Sequence, residues 1–292
     1  MPLQKAVVQV PASTSNLGPG YDCLGLALQI YNRVTVNREK GEGAEMVHPA
    51  HPMVEEATDA YFKRARGGAF AYSWSIEGDV PMSRGLGSSV TLRLGILTGL
   101  NALNGSPLDQ QALFEICAEL EGHPDNAGPA TFGGFVVADE KFDYYRFDVE
   151  PELQFVLLIP DYEVLTDEAR KLMPKVITHK DAVTNTGNAC KITAAIATKQ
   201  YHQLRGNFDD YLHQPYREHL VPGLREIIDS GKAVGAVGGF LSGSGSTVAC
   251  LTVRGDGEKI GQAMRLAHPS VRDAEVRVVS ADNDGARVLY TE

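Results

Sequence analysis

Short stretches of the chain alternate apolar and polar residues, which is the pattern of strands with one buried face. Residues 5–10 and 29–36 are predicted strands, and Pro11 is expected to end the first. At residues 70–76, alternate positions carry the large apolar side chains of Phe70, Tyr72, Trp74 and Ile76. The pattern therefore predicts sheet structure, including one aromatic face, in the first half of the chain.

Two longer segments of the first half predict helices. Residues 87–104 are mostly apolar and contain no proline, which is typical of a buried helix. The second helix is predicted to follow Ser106 as its N-cap, with Pro107 at the first helical position and Asp109 in the first turn. Gly122 is expected to end it, because glycine commonly follows the last helical turn.

The second half alternates helix-like and strand-like segments, which predicts an α+β fold. Helices are predicted over 166–173, 178–199, 221–230 and 256–267, and strands over 233–241, 247–253, 273–279 and 285–290. Before them, the continuous apolar run in PELQFVLLIP predicts a strand that is buried on both faces. We place a domain boundary just before this run, which divides the chain into residues 1–150 and 151–292.

Composition narrows the class of protein. The 292 residues carry a formal net charge of -10 and no dense run of Lys or Arg, which argues against a nucleic-acid partner. No apolar run reaches the roughly 20 residues that span a bilayer, and the N-terminus lacks a signal-peptide layout, so no membrane partner is expected. The 4 cysteines form no CxxC pair, which predicts reduced thiols in a cytoplasmic protein.

Glycine-rich loops occur at three places, GPGYDC from residue 18, GLGSSV from residue 85 and GSGSTV from residue 243. None completes the dinucleotide or Walker pattern, and each alone is most often a turn. GLGSS differs because it follows a strand and opens the long apolar helix. The free N–H groups and the dipole of a helix N-terminus attract anions, and Ser88 and Ser89 add hydroxyl groups.

Three ordered segments carry a family resemblance. Residues 11–28, 81–90 and 238–251 resemble the three signature motifs of the GHMP small-molecule kinases. The resemblance spans almost the whole chain. It implies a two-domain GHMP kinase fold, with an N-terminal domain like ribosomal protein S5 domain 2 and a ferredoxin-like C-terminal domain. It also implies ATP as the phosphoryl donor.

Within these kinases, three further segments are similar to segments characteristic of the homoserine kinase family. They are residues 121–134, 165–186 and 212–223. The resemblance implies ATP- and Mg²⁺-dependent phosphorylation of the homoserine hydroxyl in threonine biosynthesis, with a homodimer as the expected assembly. Two alternatives stay open: a GHMP kinase for another acceptor, such as mevalonate or shikimate, and a catalytically silent module that binds nucleotide.

The resemblance also implies where the nucleotide and metal bind. The implied ATP-binding residues are Pro81, Met82, Ser83, Arg84, Gly85, Leu86, Gly87, Ser88, Ser89, Val90 and Thr91, with Gly243 and Gly245. Glu121 is the expected magnesium ligand, with Ser88, or else Ser89, as the second. Glu115 and Glu119 lie on the same predicted helix and remain alternatives. Ser246 replaces the usual proline of the third motif, so that loop is expected to be less rigid.

Homoserine is a zwitterion with a hydroxyl group, so its site needs an anion, cations and polar groups. The resemblance places Asp22 at the ammonium group, beside Asn16, and it places Arg170 and Arg217 at the carboxylate, which a guanidinium group matches bidentately. His123 is expected to border the substrate. We expect Asn126, with Thr166 as a neighbour, to position the hydroxyl. Asp125 is expected to face away, leaving no strong general base.

Overall fold

The computed structural model describes residues 2–42, 47–65 and 68–292. The strands are β1 Lys5–Ser15, β2 Leu24–Glu42, β3 Val47–His48, β4 Phe70–Gly78, β5 Phe135–Ala138, β6 Tyr144–Phe147, β7 Leu153–Ile159, β8 Gly238–Leu241, β9 Val248–Val253, β10 Glu275–Ser280 and β11 Arg287–Thr291. The α-helices are α1 Pro52–Arg64, α2 Ser88–Leu103, α3 Gln110–Glu121, α4 Ala127–Phe132, α5 Thr166–Lys171, α6 His179–Ala197, α7 Gln214–Arg217, α8 Leu224–Ala233 and α9 Gly257–Leu266.

The first sheet has the order β11-β1-β2-β4-β3, and β5 and β6 extend it from β2. Its neighbours pair antiparallel except β3, which runs parallel to β4. The helices α1 to α4 form a layer with this sheet, and α2 packs directly on β1 and β2. Val8, Val34 and Val36 of the sheet share one buried cluster with Ile96 and Leu100 of α2. The helix α2, which directly follows the central glycine motif, is therefore held rigidly against the sheet.

The second sheet is antiparallel, with the order β10-β7-β9-β8. Helices lie between β7 and β8 and between β9 and β10, which is the ferredoxin-like arrangement that the family resemblance implies. On one face Val156 packs with α8 and α9, and on the other Phe155 and Leu157 share a cluster with Leu26 and Phe135 of the first sheet. The expectation that this strand is buried on both faces is confirmed.

The chain passes from the first sheet to the second between β6 and β7, at residues 148–152. It later returns, because β11 pairs antiparallel with β1. The last strand therefore belongs to the first sheet, although it follows the whole of the second sheet in sequence. The division into residues 1–150 and 151–292 stays a prediction about domain limits.

The first strand is longer than the sequence predicts. Pro11 was expected to end it, but β1 continues to Ser15. The pairing of β1 with β2 shifts register between Pro11 and Ala12, and such an irregularity accommodates a residue that cannot donate to the ladder. This extension matters for function because it carries the polar residues Ser13 and Ser15 into the region where the glycine loops meet.

The helix before Gly122 begins later than predicted. Ser106 was the expected N-cap, but it has a φ of 57°, and α3 begins at Gln110. Asp109 caps it instead, because its carboxylate accepts a hydrogen bond from the Ala112 N–H. Gly122 ends the helix as expected.

Candidate active site

Three loops meet between the two sheets, each from one glycine motif. We call residues 16–23 the first loop, 81–87 the second and 242–247 the third. The Ser242 hydroxyl donates to the Gly85 carbonyl at 2.6 Å and lies 2.7 Å from the Thr14 hydroxyl. The Ser13 N–H donates to the Leu86 carbonyl at 3.2 Å. Segments far apart in sequence thus form one connected site, in which the third loop lies against the second.

The two glycines of the second loop are required by its geometry. Gly85 has a φ of 71°, and a Cβ there would lie 2.1 Å from the Ser242 carbonyl oxygen. Gly87 has a φ of 69°, and a Cβ there would lie 2.3 Å from the Ser13 hydroxyl. Gly87 is also the N-cap of α2 and supplies no side-chain cap. The N-terminal amides and dipole of α2 are therefore directed at the junction, where they favour an anion.

Glu121 reaches the N-terminus of α2 and meets a serine there. The Ser89 hydroxyl donates to the Glu121 carboxylate at 2.8 Å, whereas Ser88 accepts a 3.3 Å hydrogen bond from the Ser83 N–H. Ser89 rather than Ser88 is thus the serine beside Glu121. A carboxylate and a hydroxyl are hard oxygen donors of the kind that Mg²⁺ prefers, so the pair fits this ion.

The two alternative glutamates of α3 lie elsewhere. Glu115 and Glu119 form ion pairs with Arg64 of α1, at 2.8 and 3.1 Å, on the protein surface. Their carboxylates are a third and a half exposed, while the side chain of Glu121 is only 8% exposed. Geometry therefore favours Glu121 among the three.

Arg93 was not predicted from the sequence, yet it contacts Glu121 of the candidate site. It lies one turn after Ser89 on α2, and its guanidinium group contacts Glu121 at 2.5 Å and Glu56 of α1 at 2.6 Å. The arginine lies outside the three motifs, so no motif signal pointed to it. Its spacing of four residues from Ser89 on a helix is the one feature that could have done so.

Asn126 lies at the N-terminal end of α4, beside the second loop. Its side chain accepts a hydrogen bond from the Ser13 hydroxyl at 2.8 Å and donates to the Ser15 hydroxyl at 3.0 Å. Asp125 does not face away as expected. It is 2% exposed, and its carboxylate lies 2.5 Å from His123 Nδ1 and 3.3 Å from the amide nitrogen of Asn126.

Asp125 and His123 form a charged pair next to Asp22. Burial opposes ionisation of Asp125, but the charge of His123 and its hydrogen bond lower the pKa of this carboxyl below its usual value. Burial likewise opposes the charged form of His123, but the charge of Asp125 outweighs it and raises the pKa of the imidazole. Ligand atoms of Asp22, His123 and Asp125 lie within 4.8 Å of one another. This corner of the site is therefore strongly polar.

Asp22 of the first loop forms a two-pronged ion pair with Arg170 of α5. The two guanidinium nitrogens lie 2.7 and 3.1 Å from the two carboxylate oxygens. Asn16 accepts a hydrogen bond from the Asp22 N–H at 3.0 Å and donates to the Gly243 carbonyl at 3.2 Å. The side chains of the pair are 33% and 32% exposed, so both charges are accessible to a small polar molecule.

Arg217 is enclosed by protein and is only 2% exposed. Its donors contact the Ala169 carbonyl at 3.3 Å, the Gly243 carbonyl at 3.1 Å and the Tyr21 hydroxyl at 3.2 Å. A fourth contact, 3.4 Å long, reaches Nδ1 of the fully buried His213. In this structure Arg217 thus links α5, the first loop and the third loop.

The other residues with a predicted role in ATP binding differ in how exposed their side chains are. The side chains of Leu86 in the second loop and of Val90 and Thr91 in α2 are fully buried, so they pack inside the protein. The side chain of Met82 is 74% exposed. Arg84 donates to the Pro160 carbonyl at 2.9 Å.

Two hydroxyl-bearing residues border the third loop. Thr166 lies at the start of α5, 3.4 Å from the Ser244 hydroxyl of the third loop. Ser246, which was expected to loosen that loop, is fully buried and donates to the Tyr162 carbonyl at 2.6 Å. Its hydroxyl therefore anchors the loop at the position where a proline is usual.

The fold and the three-loop junction define a class of protein, the GHMP kinases. The model for the GHMP kinases N terminal domain matches residues 52–134, and the model for the GHMP kinases C terminal region matches residues 194–270. Both the predicted family and the predicted fold class are confirmed by these matches and by the structural similarity that follows.

Similarity to individual proteins identifies the family within the GHMP kinases. The chain is 36% identical to a homoserine kinase of Caldicellulosiruptor saccharolyticus, over 98% of this chain and 97% of that protein. It is 37% identical to one of Caldicellulosiruptor bescii, with the same coverage. The crystal structure of homoserine kinase from Cytophaga hutchinsonii shares the fold, with a TM-score of 0.88, 24% identity and 98% of both chains covered. The chain belongs to the homoserine kinase family.

Among the residues that the structure describes, none of the helices combines the length and apolar character needed to cross a membrane.

Proposed function

We propose that this protein transfers the γ-phosphoryl group of ATP to the side-chain hydroxyl of L-homoserine, forming O-phospho-L-homoserine. One observation carries the proposal beyond family membership. The carboxylate of Asp22 and the guanidinium group of Arg170 form an ion pair beside the junction of the three glycine loops. About a third of each side chain is exposed. That combination suits a small zwitterion next to a phosphate-binding helix N-terminus.

The nucleotide phosphates would lie at the N-terminus of α2. Gly85 and Gly87 keep the second loop free of side chains, so backbone N–H groups can approach a phosphate closely. The third loop packs on the second through Ser242. No lysine is needed in this arrangement, because the helix N-terminus and a cation supply the positive field.

Ser89 and Glu121 would hold the magnesium ion. When bound, this ion would neutralise negative charge on the phosphoryl group during transfer. The hydrogen bond between the two side chains already holds their oxygen atoms 2.8 Å apart, so both donors face the same small volume.

Homoserine would bind by breaking the Asp22–Arg170 ion pair and taking the place of each partner. Its ammonium group would take the carboxylate of Asp22, and its carboxylate would take the guanidinium group of Arg170. A ligand that carries both charges leaves neither protein group unpaired, whereas a ligand with only one charge leaves a partly buried charge without a partner. This exchange favours an amino acid over an acceptor without an amine, such as mevalonate or shikimate.

The homoserine hydroxyl would be positioned by Asn126, with Thr166 and His123 bordering the same space. Asp125 holds both His123 and Asn126 through its carboxylate, so these side chains are fixed before the substrate arrives. A carboxylate with a lowered pKa is a weak base, so we assign Asp125 a positioning role. Positioning and electrostatic stabilisation would then provide most of the rate enhancement.

The test is ADP release from Mg-ATP with homoserine, mevalonate, shikimate, galactose or no acceptor. Among these acceptors, we expect only homoserine to stimulate ADP release. Mass spectrometry should identify the product as O-phospho-L-homoserine. Release with mevalonate but not homoserine would overturn the substrate assignment. ATP binding without release in any mixture would instead favour a silent nucleotide-binding module. The Asp22→Asn variant should lose homoserine-dependent release while it still binds ATP.

A further inference from the structure

Arg93 connects the proposed magnesium ligand to a second acid. Its side chain is 11% exposed, with one nitrogen 2.5 Å from Glu121 and another 2.6 Å from Glu56. The Glu121 side chain is 8% exposed, and its other oxygen accepts the hydrogen bond from Ser89. Both oxygens of the proposed metal ligand are therefore occupied by donors of the protein itself.

A second arginine gives a built-in comparison. Arg64 also joins two carboxylates, Glu115 and Glu119 of the same helix α3, but its side chain is 38% exposed. Solvent screens charges at such a surface site and makes the ion pairs weak. Screening is much smaller around Arg93, because both it and Glu121 are nearly enclosed. The charge of Arg93 should consequently affect anything that binds to Glu121.

We propose that Arg93 suppresses binding of a free divalent cation at Glu121, so that the metal enters together with the nucleotide and not alone. The inference rests on the proposed metal role of Ser89 and Glu121. The charges explain the effect. Two carboxylates and one guanidinium group leave a net charge of about −1 at the cluster, and a dication gains little from so weak a field near a fixed positive charge. Triphosphate oxygens add the missing negative charge, as is usual for magnesium in kinases.

An alternative role for Arg93 is purely geometric. In that case the arginine would hold the Glu121 carboxylate in the orientation that the cation needs, and losing it would weaken cation binding. The two roles therefore predict opposite signs for the same substitution. Glu56 contacts Arg93 and has no contact with Glu121 or Ser89 among those that the structure shows for the described residues, so its substitution changes the charge of the cluster without altering a proposed metal ligand.

The experiment measures Mn²⁺ binding to the nucleotide-free protein by the EPR signal of the free ion. Arg93→Met removes the charge and keeps a long side chain, and we expect it to tighten Mn²⁺ binding by about tenfold or more. Glu56→Gln removes a negative charge, and we expect about twofold to threefold weaker binding, because Glu56 is half exposed. Arg64→Met is the matched control and should leave the Kd for Mn²⁺ within about twofold.

A second readout is thermal unfolding with and without MgCl₂. Arg93→Met leaves the Glu121 carboxylate without the guanidinium group that it pairs with. The Tm of this variant should therefore rise on adding Mg²⁺, while the Tm of the wild type should change little without nucleotide. Adding Glu121→Gln to Arg93→Met should abolish both the tighter Mn²⁺ binding and the Tm response. If Arg93→Met folds poorly, Arg93→Gln provides the same charge change in a polar side chain, and Arg93→Lys should retain wild-type behaviour.

Weaker Mn²⁺ binding in Arg93→Met would overturn the proposal and assign Arg93 the geometric role. Tighter binding that survives Glu121→Gln would also overturn it, because the cation would then bind elsewhere. These measurements use no acceptor and no turnover. A failure of the homoserine assignment would therefore leave them unaffected and can be recognised separately.

Discussion

Two arginine sites lie side by side in the proposed substrate region, and they differ in accessibility. Arg170 pairs with Asp22 through both guanidinium nitrogens, and the two side chains are each about a third exposed. Arg217 is 2% exposed and donates to the backbone of α5, to the third loop and to Tyr21. The family resemblance gave both arginines the same role at the substrate carboxylate, but their surroundings are not equivalent.

The partners of the two arginines distinguish a charge that can bind substrate from a charge that holds the site together. Asp22 and Arg170 have each other, and a zwitterion can replace each partner with one of its own groups. Arg217 has backbone carbonyls and a buried histidine, which a substrate cannot replace without opening the loops. We therefore expect Arg170 to act mainly on homoserine binding. We expect Arg217 to act on stability and on both substrates.

The largest effect is expected from Arg217→Ala. The substitution leaves several buried acceptors without a donor and opens a cavity, which should lower the free energy of unfolding by about 3 kcal/mol. Because Arg217 also holds Gly243 of the third loop, the KM for ATP should rise together with the KM for homoserine. Urea unfolding and steady-state kinetics check both points. A normal unfolding curve with only the homoserine KM raised would make Arg217 equivalent to Arg170.

Arg170→Ala is expected to give the next largest effect. The KM for homoserine should rise about 30-fold, which corresponds to about 2 kcal/mol of a charge-assisted contact, and the KM for ATP should stay within about twofold. The free energy of unfolding should change little, because the lost ion pair is partly exposed. Lys171→Ala, at the exposed next position of α5, is the matched control and should leave both KM values unchanged. Parallel increases in both KM values would contradict the proposed division of roles.

His213 lies behind Arg217, and we expect it to make the stability of the protein depend on pH. Burial lowers the pKa of His213, the charge of Asp210 opposes this, and Arg217 lowers the pKa further. The geometry agrees, because Nδ1 faces an arginine donor and Nε2 faces the Gly18 carbonyl at 2.9 Å. Nε2 also lies 3.3 Å from the buried Asp210 carboxylate, which favours a proton on this nitrogen. The lowered pKa therefore predicts a neutral His213 that carries its proton on Nε2.

The sign of the pH dependence follows from that lowered pKa. Below the ordinary histidine pKa of about 6.5, the unfolded chain binds a proton that the folded protein does not. The stability contribution of neutral His213 is thus complete above this pH, and it is lost as pH falls, by up to about 1.4 kcal/mol per pH unit. Urea unfolding between about pH 5 and about pH 8 should show a steeper acid loss in the wild type than in His213→Asn. Equal slopes would refute the neutral assignment.

The smallest effect on stability and on homoserine binding is expected from Tyr21→Phe. Tyr21 lies between Arg170 and Arg217. The change removes the hydroxyl that accepts from Arg217 and keeps the ring stacked on His213 at a centroid distance of 5.2 Å. The free energy of unfolding should fall by about 1 kcal/mol. Homoserine KM should change by less than about threefold, because the Asp22–Arg170 pair is untouched. A loss as large as that of Arg170→Ala would place the Tyr21 hydroxyl in direct contact with the substrate.

The sequence predicted most elements of the fold because their patterns are local. The strand β7 and the helices α2, α6 and α9 have apolar periodicities or runs that tertiary contacts did not override. The return of β11 to the first sheet was not predictable in this way, since pairing with β1 is a long-range choice between sheet edges. The extension of β1 past Pro11 depended on a register shift that only the partner strand reveals.

The candidate site followed the same rule. The motif resemblance located the second and third loops, and the contact between Ser242 and Gly85 joins them. The resemblance could not decide between Ser88 and Ser89, because that choice depends on which hydroxyl faces Glu121 across two helices. For the same reason Arg93 was not predicted, and the orientation predicted for Asp125 was wrong. Their importance comes from charged partners on other segments or from burial, and neither is visible in a motif.

The most direct test of the proposed homoserine binding mode is a crystal structure with homoserine and a non-hydrolysable ATP analogue. We expect the Asp22–Arg170 pair to open, with the homoserine ammonium group on Asp22 and its carboxylate on Arg170. The homoserine hydroxyl should lie beside Asn126 and face phosphates at the N-terminus of α2. Homoserine bound elsewhere while Asp22 and Arg170 remain paired with each other would contradict this binding mode.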